Sequence, residues 1–306
     1  MSLNILSPLL IITASLFFSG IIIRTKSFFS GRKGPGIFQP LKDVWRLFRK
    51  GAVYSHTTSF IFQIAPVIYF SSVLMAILFV PFGDQRGFIS FNGDFVFFAY
   101  VLALGKFFMI ISSLDTGSSF EGMGASREAL YSMLVEPAFF IIMGSFALLT
   151  GHTSFYEIFS TLHFGSTISY AVGTLAAFVL VLIAMIENSR MPVDDPKTHL
   201  ELTMVHEVMV LDNSGFDLAL ILHTSSLKFA MYGAILANFF LTPGKELFYS
   251  IPIFIAVQVL FAVLAGTIES FMSRFRLSHN PQFIFALTSI ALLIFFGVLV
   301  ILGKIN

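Results

Sequence analysis

Long apolar runs, interrupted at regular intervals by short polar and charged stretches, dominate the chain. A helix that crosses a bilayer needs roughly 20 mostly apolar residues. Eight stretches meet or approach that length: Leu3–Ile23, Phe60–Phe82, Phe95–Leu114, Leu130–Leu149, Ile168–Ile186, Leu218–Leu241, Phe248–Ile268 and Phe283–Leu302. Pro66, Pro137 and Pro252 fall inside or at the start of these runs. Membrane helices tolerate proline where neighbours satisfy the freed backbone groups. The pattern predicts an all-α polytopic membrane bundle of eight transmembrane helices, residues 1–306 forming a single membrane domain. The first run has no preceding basic residue and no small-residue cleavage site, so it reads as a retained helix.

Composition agrees. Of 306 residues, 56% are hydrophobic and 11% charged, with a mean hydropathy of +0.88, against about 25% charged in ordinary soluble domains. The net charge of +1 is uninformative until the charges are placed. The first loop, 24–57, carries Arg24, Lys26, Arg32, Lys33, Lys42, Arg46, Arg49 and Lys50. Arg127, Arg190, Lys197, Arg274 and Arg276 fall in later loops on the same side, and only Arg86, Lys245 and Lys304 on the other. The positive-inside rule then puts the odd-numbered loops in the cytoplasm and both termini outside.

Within the first loop, Phe38, Leu41, Trp45 and Phe48 recur at helical spacing, flanked by Lys42, Arg46 and Arg49. This predicts a short interfacial helix over Ile37–Lys50, which only anchors at the membrane surface or also builds the mouth of a cavity or a docking surface.

Ionisable residues inside a bilayer are costly and are functional candidates by default. Lys106, Glu136, Glu187, Lys228 and Glu269 lie in or at the ends of five successive runs. One acid paired with one lysine is a structural tie. Five such groups over five helices fit a proton or ion route better. The fifth loop, 187–217, is acidic and holds Asp194, His199, Glu201, His206 and Glu207 with apolar residues between them, so it is expected to be partly helical and tucked against the bundle or a partner. Closely spaced carboxylates raise one another's pKa, and histidine titrates near neutrality.

Other chemistries find little support. There is no cysteine, hence no thiolate for an iron–sulfur cluster and no disulfide. A zinc-protease pattern starting at His206-Glu207 fails because Val210 holds the fifth position. His199 and His206 remain open as a shared ligand pair, but no metal site is assigned. Gly122-x-Gly124 has Arg127 at the third glycine's place, no P-loop is present, and nucleic-acid binding has no support. No inverted repeat marks a stand-alone transporter.

At the charged segments the sequence resembles a known family. Arg32-Lys33-Gly34-Pro35-Gly36-Ile37-Phe38-Gln39-Pro40, Gly124-Ala125-Ser126-Arg127 with Glu136 nine residues on, Glu187-Asn188-Ser189-Arg190-Met191-Pro192-Val193-Asp194, and Glu201 are similar to the quinone-chamber membrane subunit of respiratory complex I, subunit 1 or H. The short stretch between Gly34-Pro35 and Gln39-Pro40, with the segments from Leu114 to Glu128 and from Pro192 to Gly215, resembles the membrane subunit of energy-converting nickel–iron (NiFe) hydrogenases and formate hydrogenlyases, of the hydrogenase-4 component C type. The resemblance implies a subunit that is not catalytic alone but couples electron transfer in a docked peripheral arm to proton or sodium translocation. A quinone-chamber subunit and a passive hydrogenase anchor are the alternatives.

The implied partners are a NiFe-hydrogenase large-subunit homologue, an iron–sulfur small subunit and antiporter-like membrane subunits, within a prokaryotic cytoplasmic membrane. Iron–sulfur clusters and a NiFe centre would belong to those partners, with quinone a further candidate ligand. The resemblance implies that Glu136, Glu187, Glu201 and Arg190 lie along the channel from the redox site into the membrane, and Asp194 matches a family acid. Lys106 and Lys228, as intramembrane cations, and His206 and Glu207 of the acidic loop complete the expected proton path. Arg127, Arg190, Arg32, Lys33, Gln39 and Trp45 serve structure or docking.

Overall fold

The computed structural model describes residues 5–162, 167–195, 204–241 and 247–303. Among these, eight helices are long and apolar enough to cross a membrane: α1 (Leu6–Phe29), α3 (Phe60–Ile77), α4 (Asp94–Asp115), α5 (Ser119–Thr150), α7 (Thr167–Glu187), α9 (Gly215–Asn238), α10 (Leu247–Phe271) and α11 (Asn280–Ile301). Three short helices join them: α2 (Gln39–Phe48), α6 (Phe155–Thr161) and α8 (His206–Met209). No named strand occurs among the described residues. The chain is an integral membrane protein, and the expected all-α bundle of eight spans is what folds.

Two boundaries differ from the sequence-based expectation, and both differences matter. Helix α1 runs on to Phe29 and carries Arg24 and Lys26 on its last turns instead of in the loop. Long basic side chains can leave the apolar zone along their stems while the backbone stays helical. Helix α5 starts at Ser119, eleven residues before the apolar run at Leu130, so Arg127 and Glu128 are helical and not loop residues. Gly122, Gly124 and Ser126 interrupt the hydrophobic pattern without breaking the ladder. The first loop proper therefore begins after Phe29, and Glu187 and Gly215 already belong to the helices bounding the acidic loop.

The helices pack around α9, whose residues Leu227–Asn238 are buried without interruption. Helices α1, α3, α7 and α10 pack directly on it, α4 packs against α3 and α5, and α11 packs against α5 and α7. Such a central helix has no lipid-facing stripe, so a charge on it must be answered from within the protein. Lys228 lies on this helix.

The polar ends of α1, α3, α5, α7 and α9 gather at one face. There Asp115 Oδ2 accepts from the Ser59 amide at 2.7 Å, and the Val53 amide donates to Ser214 Oγ at 3.0 Å. Helix α2 lies on this face with no buried residue, its Phe48 edge-on to Phe216 of α9.

Candidate functional site: a buried chain of alternating charge

The site begins where α7 stops. The Ser189 amide donates to Ile186 O and the Arg190 amide to Met185 O, both at 2.9 Å, while Ser189 takes φ of +49°. This is the paired closure of a Schellman turn, with serine at the left-handed position usually held by glycine. The turn aims two side chains apart. Ser189 Oγ donates to Glu128 Oε2 at 3.0 Å, and Arg190 Nη1 donates to Glu269 Oε1 at 3.0 Å.

Four buried ionisable side chains then alternate in sign across four helices. Lys106 of α4 places Nζ 2.9 Å from Glu128 Oε1 of α5 and 3.1 Å from Glu187 Oε2 of α7. Lys228 of α9 places Nζ 2.7 Å from the same Glu187 Oε2 and donates to the Glu187 carbonyl at 2.7 Å. Two acids face two ammonium groups, which lets so many charges leave water together. Glu136 belongs to the same neighbourhood but makes no hydrogen bond or ion pair with any described residue.

Two small cavities open onto this chain. One of about 20 Å³ is lined by Tyr69, Glu128, Ser189, Ser225 and His206. The other, of about 30 Å³, is lined by Glu136, Tyr232, Phe98 and Phe139. Lys106 and Glu187 line both. Each has room for about one or two waters. The Glu128 side is the more polar, while the Glu136 side is walled mainly by apolar residues such as Leu102, Val135 and Ile183, and the ion pair they share lies between them.

The acidic loop closes the first cavity. Gly124 on α5 permits this, because a Cβ there would lie 2.8 Å from the Val205 carbonyl and would force the segment outward. One turn on, Arg127 Nη1 donates to the Met204 carbonyl at 3.0 Å. The loop is tied from the other side by Asp194, whose Oδ2 accepts from the His206 amide at 3.0 Å while Oδ1 pairs with Arg274 at 2.7 Å. Burial pushes the Asp194 carboxyl up, against the opposing pull of the His206 amide and Arg274. Burial likewise pushes the His206 imidazole down, partly offset by Glu128. A neutral imidazole thus faces a carboxylate–ammonium pair.

A second charged group stands apart from the first. Glu269 of α10 pairs with Lys26 of α1 at 2.9 Å and with Arg190 at 3.0 Å, and the Arg190 guanidinium lies 5.3 Å from the Phe229 ring centroid.

With this geometry in view, the comparisons with known proteins can be placed. The family described as NADH dehydrogenase matches residues 2–300. The chain belongs to this family. Within it, the chain is similar to hydrogenase-4 component C of Escherichia coli K12, 30% identical over 284 residues that cover 90% of this chain and 89% of that protein. It is also similar to formate hydrogenlyase subunit 4 of the same organism, 25% identical over 302 residues covering 96% and 97%. Among solved structures, a chain from the membrane-bound sulfane sulfur reductase, an archaeal respiratory membrane complex, superposes with a TM-score of 0.80 at 20% identity, covering 96% of this chain and 99% of that one. That last likeness speaks for the fold. The protein is thus a complex I-like membrane subunit of the NADH dehydrogenase subunit 1 family, and the relatives' names place them in multi-subunit complexes.

Of the expected path residues, the structure brings Lys106, Glu136, Glu187 and Lys228 together and sets His206 in the wall of the cavity on the Glu128 side. Asp194 accepts from the His206 amide and pairs with the Arg274 guanidinium, and it meets no lysine among the described residues. Glu207 follows His206 in α8. Glu201 and His199 lie outside the described residues. Arg127 and Arg190 fasten the acidic loop and the second cluster. Arg32, Lys33, Gln39 and Trp45 lie on the first loop, away from the buried charges; Gln39 Nε2 donates to Asp43 Oδ1 at 2.8 Å, and Arg49 stacks 5.3 Å from the Trp45 ring. No group of three or more metal-ligating side chains occurs among the described residues.

Sequence reasoning missed Glu128 and Ser189. Glu128 sits just before the apolar run and reads as a loop acid. Its eight-residue spacing to Glu136, about two helical turns, is the signal that could have placed both on one face.

Proposed function

We propose that this chain is the membrane subunit through which electron transfer in a docked peripheral arm is coupled to proton movement. Its setting would be the prokaryotic cytoplasmic membrane, with both termini outside. The observation that carries this reading is the pair of water-sized cavities joined by one ion-paired group, Lys106 with Glu187. Cavities of this size have room for a water that would carry a proton, while a buried lysine between two carboxylates can exchange partners.

A proton entering at the acidic-loop face would meet His206, whose neutral ring can accept it, and then Glu128. Protonated Glu128 no longer holds Lys106, whose ammonium, still paired with Glu187, can then give a proton to Glu136 across the cavity that both line. The neutral amine takes the proton from Glu128, which restores the Lys106 ammonium and the Glu128 carboxylate and leaves the proton on Glu136. A transmembrane potential contributes about 2.3 kcal/mol per charge per 100 mV, so the carboxylates have to be switched in affinity as well as aligned. The switch would come from the acidic loop, which Gly124, Arg127 and Asp194 fasten to α5 and the bundle face.

The partners fitting this role are a NiFe-hydrogenase large-subunit homologue, an iron–sulfur small subunit and antiporter-like membrane subunits. Metal centres would reside in those proteins, since a chain without cysteine offers no thiolates. Glu136→Gln tests the reading in the assembled complex. Redox turnover with an artificial acceptor should persist while proton translocation is lost; retention of both activities at wild-type level would overturn the role of Glu136.

A further inference from the structure

The outer surface between α1 and α10 holds a recess of about 340 Å³ that the coupling reading does not use. Its walls include Ala14, Phe17, Phe18 and Ile21 of α1 and Phe254 and Gln258 of α10. The polar donors in the lining are taken: Thr13 Oγ1 donates to Leu10 O and Gln258 Nε2 to Ala230 O, both at 2.9 Å. Gln258 Oε1 has no partner but lies buried against Gly233 of α9, so the wall a ligand meets is mainly hydrocarbon.

The recess is built and not an accident of a ridged surface. Ile37 of the first loop closes one end, and it comes down so far that a Cβ on Gly20 would overlap the Ile37 carbonyl. Phe38 locks the closure edge-on against Phe17, with ring centroids 5.5 Å apart. From Leu10 to Ile21 the α1 wall rises about 16 Å at 1.5 Å per residue, close to the roughly 15 Å of one leaflet's hydrocarbon.

Charge marks the closed end. Arg24, one turn beyond Ile21 on α1, is exposed and reaches the Gly34 carbonyl at 3.4 Å. Lys26 and Arg190 share the single carboxylate of Glu269. Three cations to one anion leave this end positive. A groove one leaflet deep, apolar along its length and cationic at the head, matches an anionic phospholipid. We infer that the α1–α10 recess seats an acyl chain of one such lipid, with its phosphate held beside Arg24 and the Lys26–Glu269–Arg190 group.

The test uses the full chain reconstituted in equal parts of palmitoyl-oleoyl phosphatidylglycerol and phosphatidylcholine, extracted in mild detergent and weighed by native mass spectrometry. One phosphatidylglycerol should be retained per chain in preference to phosphatidylcholine. Ala14→Trp, which fills the recess, should abolish retention. Arg24→Gln should weaken it about five-fold, the effect of one interfacial cation on an anionic lipid, and as an exposed site it decides the matter alone if Ala14→Trp fails to fold. Equal retention of the two lipids, undiminished retention in Arg24→Gln, or a quinone as the retained molecule after purification from native membranes would each overturn the assignment.

Discussion

Two buried charge clusters sit within a few turns of each other, and they are built differently. The Glu128–Lys106–Glu187–Lys228 chain uses only groups that can gain or lose a proton and borders two water-sized cavities. The Lys26–Glu269–Arg190 cluster, with the neighbouring Asp194–Arg274 pair, relies on guanidinium groups. Arginine stays protonated under all working conditions and binds carboxylate in a planar fork, whereas lysine shifts its pKa readily on burial. The Schellman turn after Glu187 divides the two, sending Ser189 to the first and Arg190 to the second. Burial of charge alone therefore does not mark a path. The proposed path rests on titratable partners, adjoining cavities and an acid, Glu136, unpaired among the described residues, and the arginine-tied cluster reads as a clamp between α1, α7 and α10.

The largest expected effect on stability is in the clamp. Glu269→Gln leaves two cations without their shared carboxylate, and breaking a buried pair costs about 3–5 kcal/mol. Thermal unfolding should shift strongly downward, while protons moved per electron in the complexes that survive stay as in the wild type. A loss of coupling without a loss of stability would reverse the assignment of the two clusters.

Lys228→Met is the matching change in the path. Glu187 keeps Lys106, so the cost is that of a lost charged hydrogen bond, about 1.5–3 kcal/mol. Coupling should fail even where the complex assembles normally, as judged by subunit stoichiometry. Ser189→Gly should be smaller still: it removes the bond to Glu128 but relieves the positive φ, two contributions of opposite sign. A stability change within about 1 kcal/mol of wild type is expected by denaturant titration.

The pH dependence is a finer test. His206 has its pKa lowered by burial, so below about pH 6.5 the unfolded chain takes a proton that the folded chain refuses. Its contribution is intact above that pH and is lost as the pH falls from there through the lower folded value. His206→Gln should flatten the acid side of a plot of thermal midpoint against pH. Asp194 acts in the opposite sense: burial raises its pKa, and stability falls as pH rises from about 3.9 through the folded value. The smallest effect belongs to the exposed first loop. Arg46→Gln breaks only a 3.7 Å pair with Asp43, and exposed pairs of this kind contribute about 1 kcal/mol or less.

Much of the bundle was legible in one dimension, because hydrophobic length and rare charges need no partner to be seen. Lys106, Glu136, Glu187, Lys228 and Glu269 all stood out against apolar runs. Which of them pair did not stand out, since the contacts join residues 41 and 79 positions apart. Glu128 escaped because α5 outruns its own apolar stretch and continues through Gly122 and Gly124, the second of which has the acidic loop packed against it. The Gly124-Ala125-Ser126-Arg127 segment was conspicuous as a pattern; its physical reason, close approach of Val205 and a bond to Met204, appears only in three dimensions.

The central claim is that Lys106 joins the two cavities by passing a proton from Glu128 to Glu136. Replacing it with methionine in the intact complex, reconstituted in proteoliposomes, tests that most directly through the number of protons moved per electron pair. Loss of translocation with peripheral redox turnover maintained is the predicted result. Translocation at the wild-type ratio in Lys106→Met would contradict it.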